Sequence, residues 1–249
     1  MSQPPPLDPA AFSPRFAAAA AAAGFRTEAF GDVAGHPLQA FTRRTAGARP
    51  RVYLSAGIHG DEPAPPHALL RLVELGLLDD RATWFVCPLL NPTGFLHRTR
   101  ENFARVDLNR DYKDAISSEV AAHVGWLRRQ PAFDLAVCVH EDWEASGFYL
   151  YELNPERRPT LADTMLAAAR HLGPIEPATV IDGRPIDQPG VIRPVSDPVL
   201  RDTWPEAIYL RNFHTTLSYT LETPSVRPLG QRIDTHCAVL RAALDAFLR

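Results

Sequence analysis

No stretch of the 249-residue chain stays apolar for the roughly 20 positions of a membrane-spanning helix, so a helical span is excluded. Neither sign of charge dominates. Lys and Arg number 26 and Asp and Glu 29, a net charge of −3, which lacks the basic footprint of a nucleic-acid partner. Cysteine is scarce: Cys87, Cys138 and Cys237 are odd in number, form no CxxC motif and sit in apolar surroundings. That argues against a disulfide framework or a thiolate metal site, and for buried free thiols in a reducing compartment. The alanine-rich opening (1–25) lacks a basic start and carries early prolines, so it reads as a helix and not a signal peptide. Ser13 is expected as its N-cap, Pro14 as its first residue and Gly24 as its stop. No internal repeat or linker-like shift divides the chain. A single domain spanning 1–249 is expected, with 1–24 as an N-terminal helix or extension, in the cytoplasm.

What is present is ordinary globular material, 45% hydrophobic and 22% charged, long enough for a core that needs no covalent staples. The 24 prolines cluster in 174–205, which is therefore expected to be rich in loops. Segments 25–30 and 37–44, separated by GDVAGH, predict a hairpin. Apolar strands are expected at 51–57, 82–90, 134–140 and 217–222, and helices at 64–78, 117–129, 160–172 and 232–249. The last helix carries Ile233, Cys237, Leu240, Leu244 and Phe247 at a 3.6-residue period. Alternating helices and nearly continuous apolar strands predict an α/β fold: a mixed, largely parallel twisted sheet with helices on both faces. In such folds ligands sit at the carboxyl ends of strands. HGDE (59–62), HED (140–142) and Glu222 all fall at such ends.

Of the nine histidines, His59 alone has a glutamate three places on, Glu62. Prolines 63, 65 and 66 would break a helix through this segment but are tolerated at a helix start. His59 is therefore placed in a loop and Glu62 at or near a helix N-terminus, with Gly57 and Gly60 relieving the bend. A catalytic zinc takes three N or O ligands and keeps one position open. His140, at a strand end beside Glu141 and Asp142, is the natural third. Singly, each of these residues reads as an ordinary hydrogen-bonded side chain; together at convergent strand ends they read as one metal site.

Between the ligands, residues 90–112 are dense in Arg and Asn, opening on the turn signal Asn91-Pro92 and ending in VDLNRDY. Asn109 and Arg110 side by side suit a carboxylate, which a guanidinium grips through two hydrogen bonds. A metal next to a carboxylate clamp points to hydrolysis of a bond near a free carboxylate.

The ordered set HxxE, NPxG, R-x-N, DLNR, strand-end His and late strand-end Glu resembles the zinc metallocarboxypeptidase superfamily, which spans carboxypeptidases A/B and the succinylglutamate desuccinylase and aspartoacylase branch. The match covers about residues 50 to 225, and HEDWEASGFYLYE (140–152) resembles a bacterial branch of small, non-secreted members. The resemblance implies a three-layer α/β/α catalytic domain. It implies one zinc ion on His59, Glu62 and His140, and a terminal carboxylate held by Asn109 and Arg110. Arg100 would polarise the scissile carbonyl and Glu222 would be the general base. Tyr209 stands nearest to the family's mobile tyrosine, though closer to Glu222 than in the digestive enzymes, and an ordinary packed tyrosine is an equal reading. The pocket for the departing side chain is expected in 183–215, where Arg193, Asp187, Asp202 and Arg211 are candidates. Two activities share this machinery: a carboxypeptidase acting on peptides with a free C-terminus, and an amide hydrolase acting on small N-acyl amino acids. The chain shows one helix beyond Glu222 where the acyl-amino-acid enzymes usually carry a further domain, which favours the peptidase. A third reading is a non-catalytic binding protein with a relic site.

Overall fold

The structure is a computed structural model that describes residues 7–194, 197 and 200–249. Its elements run α1 (Pro9–Ala22), β1 (Arg26–Val33), β2 (His36–Arg43), β3 (Arg51–Ser55), α2 (Ala64–Glu74), β4 (Thr83–Cys87), α3 (Pro92–His97), α4 (Ser118–Leu127), β5 (Leu135–Asp142), β6 (Tyr149–Leu153), α5 (Ala162–Arg170), β7 (Val180–Ile181), β8 (Arg184–Pro185), β9 (Val191–Ile192), α6 (Glu206–Phe213), β10 (Ser218–Pro224) and α7 (Leu229–Phe247). A 3-10 turn, Leu108–Arg110, precedes α4. Eight strands form one sheet in the order β1-β2-β4-β3-β5-β10-β6-β9, and β7 pairs with β8 separately. The centre, β4-β3-β5-β10, is parallel, while β1, β2 and β6 join antiparallel. The α/β fold class expected from the alternation is the one observed.

Apolar residues run without interruption along the central strands because both faces of the sheet are covered. Val52 and Leu54 of β3, with Leu135, Val137 and Val139 of β5, pack into one cluster with α1, α2, α5 and α7. Tyr53, Ala136 and Cys138 turn to the other face and pack with α4 and α6. Among the described residues no helix is long and apolar enough to cross a membrane.

Three local expectations are corrected. Helix α1 starts at Pro9, capped by Asp8, whose side chain accepts from Ala10 N at 3.0 Å, so Ser13 is not the cap and Pro14 lies inside the helix. Asp8-Pro9 is an equally good cap-and-proline pair one turn earlier, and buried Phe12 and Phe16 on either side of Pro14 anchor the helix across its missing N–H. Gly24 does end the helix, at φ +80°. The hairpin turn is two residues, Ala34-Gly35, both at positive φ, so the strands extend through most of GDVAGH. Of the cysteines, which are all free, Cys237 is only half-buried.

The loop from β3 to α2 is fastened to the segment after β4. Gly57 O accepts from Leu90 N and Asn91 N, Asn91 Nδ2 donates to Ile58 O, and Gly60 N donates to Thr99 O. The closeness of Gly60 to Gly94 requires glycine, because a methyl group on Gly60 would lie 1.9 Å from the Gly94 carbonyl carbon. Gly60→Ala is therefore expected to lower stability by at least about 2 kcal/mol, as overpacking against backbone does, read from the denaturant midpoint.

Candidate metal centre and active-site cleft

His59 and Glu62 leave the end of β3 in a tight loop, and Glu62 stands two residues before α2 begins. His140 is the sixth residue of β5, next to β3 in the sheet. All three are buried. One ligand atom from each lies within 4.8 Å of the others, which makes them a metal-capable group among the described residues. The carboxylate is central: Glu62 Oε1 lies 2.6 Å from His59 Nδ1, and Oε2 lies 3.1 Å from His140 Nδ1. His59 Nε2 lies 3.2 Å from Asp107 Oδ1, which fixes the ring with Nδ1 towards the corner.

The electrostatics follow from burial without water. Burial alone would raise the Glu62 pKa, but the two imidazoles outweigh it and hold the carboxyl well below its usual range. At His59, burial opposes the charged form, yet Glu62 and Asp107 lift the imidazole to about 9. At His140 burial prevails and the pKa falls. A proton on His59 Nδ1 and a metal ion compete for one lone pair, so metal binding here must release that proton.

Around the corner lies a cleft of about 730 Å³ lined by His59, Glu62, His140, Arg100, Asp107, Asn109, Arg110 and Glu222. Arg100 Nε donates to Asp107 Oδ2 at 3.0 Å, and Nη1 stands 3.7 Å from Glu62 Oε1. Asn109 Oδ1 accepts from Glu206 N at 2.9 Å, which leaves its amide nitrogen for a ligand. Glu222 pairs in register with His140 on β5 and with Tyr149 on β6, so the three side chains stand in a row on the cleft face. Burial, then the charges of Glu62 and Asp142, push the Glu222 carboxyl well above its usual range.

Tyr209 is a correction. It is buried against Tyr112, Phe213 and His214 and does not line the cleft, because α6 turns it into the core beneath. Tyr149 and Tyr151 line the cleft instead; their hydroxyls donate to Asp142 Oδ2 at 2.9 Å and Asp182 Oδ2 at 2.6 Å. Of the four candidates for side-chain recognition, Asp202 lines the cleft. Arg193 pairs with Asp187 and with buried Glu152, and Arg211 donates to Asn212, all outside the lining. Asp182 and Arg184 line it in their place; residues 195, 196, 198 and 199 of the expected pocket region lie outside the described residues.

Sequence reasoning also missed Asp107, whose signal was its position two residues before Asn109 in DLNR. It missed the polar network beneath the cleft as well. Glu206 is buried and accepts from Tyr53 Oη at 2.6 Å and Ser55 Oγ at 2.9 Å. His123 joins Tyr53 to Tyr112 through their hydroxyls.

Comparison with known proteins supports the fold. Residues 48–180, more than half the chain, match the family described as succinylglutamate desuccinylase/aspartoacylase catalytic domain. A candidate metallopeptidase of Shewanella amazonensis SB2B superposes with a TM-score of 0.82 at 26% identity, covering 94% of this chain and 91% of that one. The metallo-carboxypeptidase of Burkholderia cenocepacia shares the fold at 21% identity and TM-score 0.68, covering 94% and 70%. In sequence, the chain is 31% identical over 102 residues to carboxypeptidase SOL1 of Arabidopsis thaliana, or 32% of this chain and 21% of that protein. It is 30% identical over 154 residues to carboxypeptidase D of Anas platyrhynchos, or 45% of this chain and 11% of that protein. The matched part thus spans only about a fifth, or less, of the curated relatives' length. Fold and site define a carboxypeptidase-like metallohydrolase. Within that superfamily the chain belongs to the succinylglutamate desuccinylase/aspartoacylase catalytic-domain family.

Burial pushes the Glu206 carboxyl from 4.5 up to about 7, against the hydroxyls of Tyr53 and Ser55. The folded state therefore holds a proton that the unfolded state releases first. The stabilisation is complete below pH 4.5 and is lost as the pH rises through about 7. Glu206→Gln should flatten the decline of unfolding free energy between those pH values by on the order of 3 kcal/mol, measured by denaturant titration at several pH values.

Proposed function

We propose that this chain is a zinc-dependent carboxypeptidase, a single catalytic unit acting in the cytoplasm on peptides with a free C-terminal carboxylate. The observation that carries the reading is that the His59–Glu62–His140 corner, Arg100, Asn109, Arg110 and Glu222 all open into one cleft. Two imidazoles and one carboxylate form the N,N,O donor set that zinc favours, and Asp107 orients one imidazole for it. When bound there, zinc supplies a Lewis acid and makes water acidic enough to lose a proton near neutral pH.

The chain's own residues divide the remaining work. Arg110 and the Asn109 amide nitrogen grip the terminal carboxylate and set the scissile bond in register. Arg100, held by Asp107, stands beside the corner where negative charge develops on the carbonyl oxygen. Glu222 takes a proton from the attacking water and returns it to the leaving amine. Asp182, Arg184 and Asp202 face the departing side chain.

The family match favours a second reading, hydrolysis of small N-acyl amino acids such as those implied by desuccinylase and aspartoacylase. The open cleft, with Trp143 72% exposed on its rim, favours longer substrates.

The zinc-loaded protein is expected to release C-terminal amino acids from a panel of free-C-terminus peptides, and a chelator should stop it. Intact peptides alongside cleaved N-succinyl or N-acetyl amino acids would move the assignment to the second reading. Glu222→Gln should reduce kcat by about 10²–10⁴-fold with zinc content unchanged; undiminished turnover would remove Glu222 from the reaction.

A further inference from the structure

Strand β5 carries two consecutive buried polar residues that belong to opposite faces of the sheet. His140 shares the cleft face with Cys138, and Glu141 borders the same cleft at the strand end while its carboxylate reaches away to Ala64 N and Arg232. Glu141 follows Val137 and Val139 towards the helix layer of α2 and α7. The sheet alternation therefore places the metal corner between a side chain from each face.

Helix α2 lacks a cap of its own. The residue before it is Pro63, which makes no side-chain cap bond, and Pro65 and Pro66 in the first turn have no N–H. The first-turn donor left without a partner inside the helix is the buried Ala64 N, and Glu141 Oε2, 77 residues away in the chain, accepts from it at 2.9 Å. The other carboxylate oxygen accepts from Arg232 Nη1 in the first turn of α7. The Glu141 backbone N–H donates to Glu62 Oε2 at 3.1 Å, the same oxygen that lies 3.1 Å from His140 Nδ1. Both side chains of the pair are sequestered, Glu141 fully and Arg232 to 10% exposure.

We propose that the Glu141–Arg232 pair is a positioning device for the metal site. It sets the start of α2, and with it the Glu62 carboxylate, in a geometry that two imidazoles can share around one ion. Arg232 neutralises the buried carboxylate, so that Glu141 can cap α2 and compete with no metal for its own charge balance. The inference rests on the zinc reading above and concerns affinity, not turnover.

Another link between the same two helices provides the control. Arg71, about two turns along α2 from Ala64, pairs with Asp234 of α7, whose side chain is 53% exposed. Zinc dissociation constants, measured by competition with a chromophoric chelator on apo protein that still unfolds cooperatively, separate the two links. Glu141→Gln and Arg232→Gln should each weaken zinc by about 10–100-fold, the range of groups that orient metal ligands. Arg232→Lys keeps the charge but loses the Nη1 donor that reaches Glu141 Oε1, and should fall between them and the unsubstituted chain. Asp234→Asn should bind zinc as the unsubstituted chain does. Unchanged affinity in either Glu141→Gln or Arg232→Gln, or an equal loss in Asp234→Asn, would overturn the positioning role while leaving the zinc site standing. Failure of the unsubstituted chain to bind zinc would overturn both.

Discussion

The structure is organised around one buried carboxylate that must satisfy two imidazoles at once. Glu62 is almost wholly removed from water, and each of its oxygens faces a different histidine nitrogen. A carboxylate so placed is tolerable only because positive or polar partners surround it on every side. His59, His140, Arg100 and the Glu141 N–H fill that role here. The same crowding makes the site fit for a cation: a divalent ion among these donors would replace shared protons and balance the negative charge of Glu62, Asp107 and Glu222.

That corner exists because three backbone facts coincide. β3 and β5 are parallel neighbours, so their carboxyl ends open at the same edge of the sheet. Gly60 lets the loop carrying His59 and Glu62 press against Gly94. Asn91, at the start of α3, ties that loop down through Ile58 O while its side-chain oxygen caps the helix at Gly94 N. NPxG thus acts as a clasp on the metal loop, with no contact to substrate required of it.

The cleft gathers its polar residues by register. Glu222 is opposite His140 on one side and Tyr149 on the other, so the candidate base, a ligand and a cleft tyrosine share one rung of the sheet. Below this rung, Glu206 ties Tyr53, Ser55 and, through its own N–H, Asn109 into one buried network. Asn109, one half of the proposed carboxylate clamp, is thereby supported from the core rather than from the surface, which limits its freedom before any ligand arrives.

The central strands and the four long helices were legible in the residues, because burial on both faces of a sheet and on one face of a helix leaves period and composition as direct traces. The strand ends also marked His59, Glu62, His140 and Glu222 as candidates, while Arg100, Asn109 and Arg110 were expected from the 90–112 loop and the family resemblance; all seven line one cleft. Pairing across the chain was not legible. β6 was not among the expected strands, because Tyr149 and Tyr151 follow a cleft on one face and Glu152 makes a buried ion pair on the other, which leaves no plain apolar pattern. Tyr209 was indistinguishable by sequence from a cleft residue, and only the rotation of α6 sent it into the core. The cap of α1 was ambiguous because Asp8-Pro9 and Ser13-Pro14 are both good starts, and the packing of Phe12 and Phe16 decided between them. Sequence by itself determined which chemistry was available and on which kind of element. Tertiary structure alone decided which distant groups share an oxygen or a proton, because contacts such as Glu141 with Ala64 and Arg232, 77 and 91 residues apart, leave no periodicity along the chain.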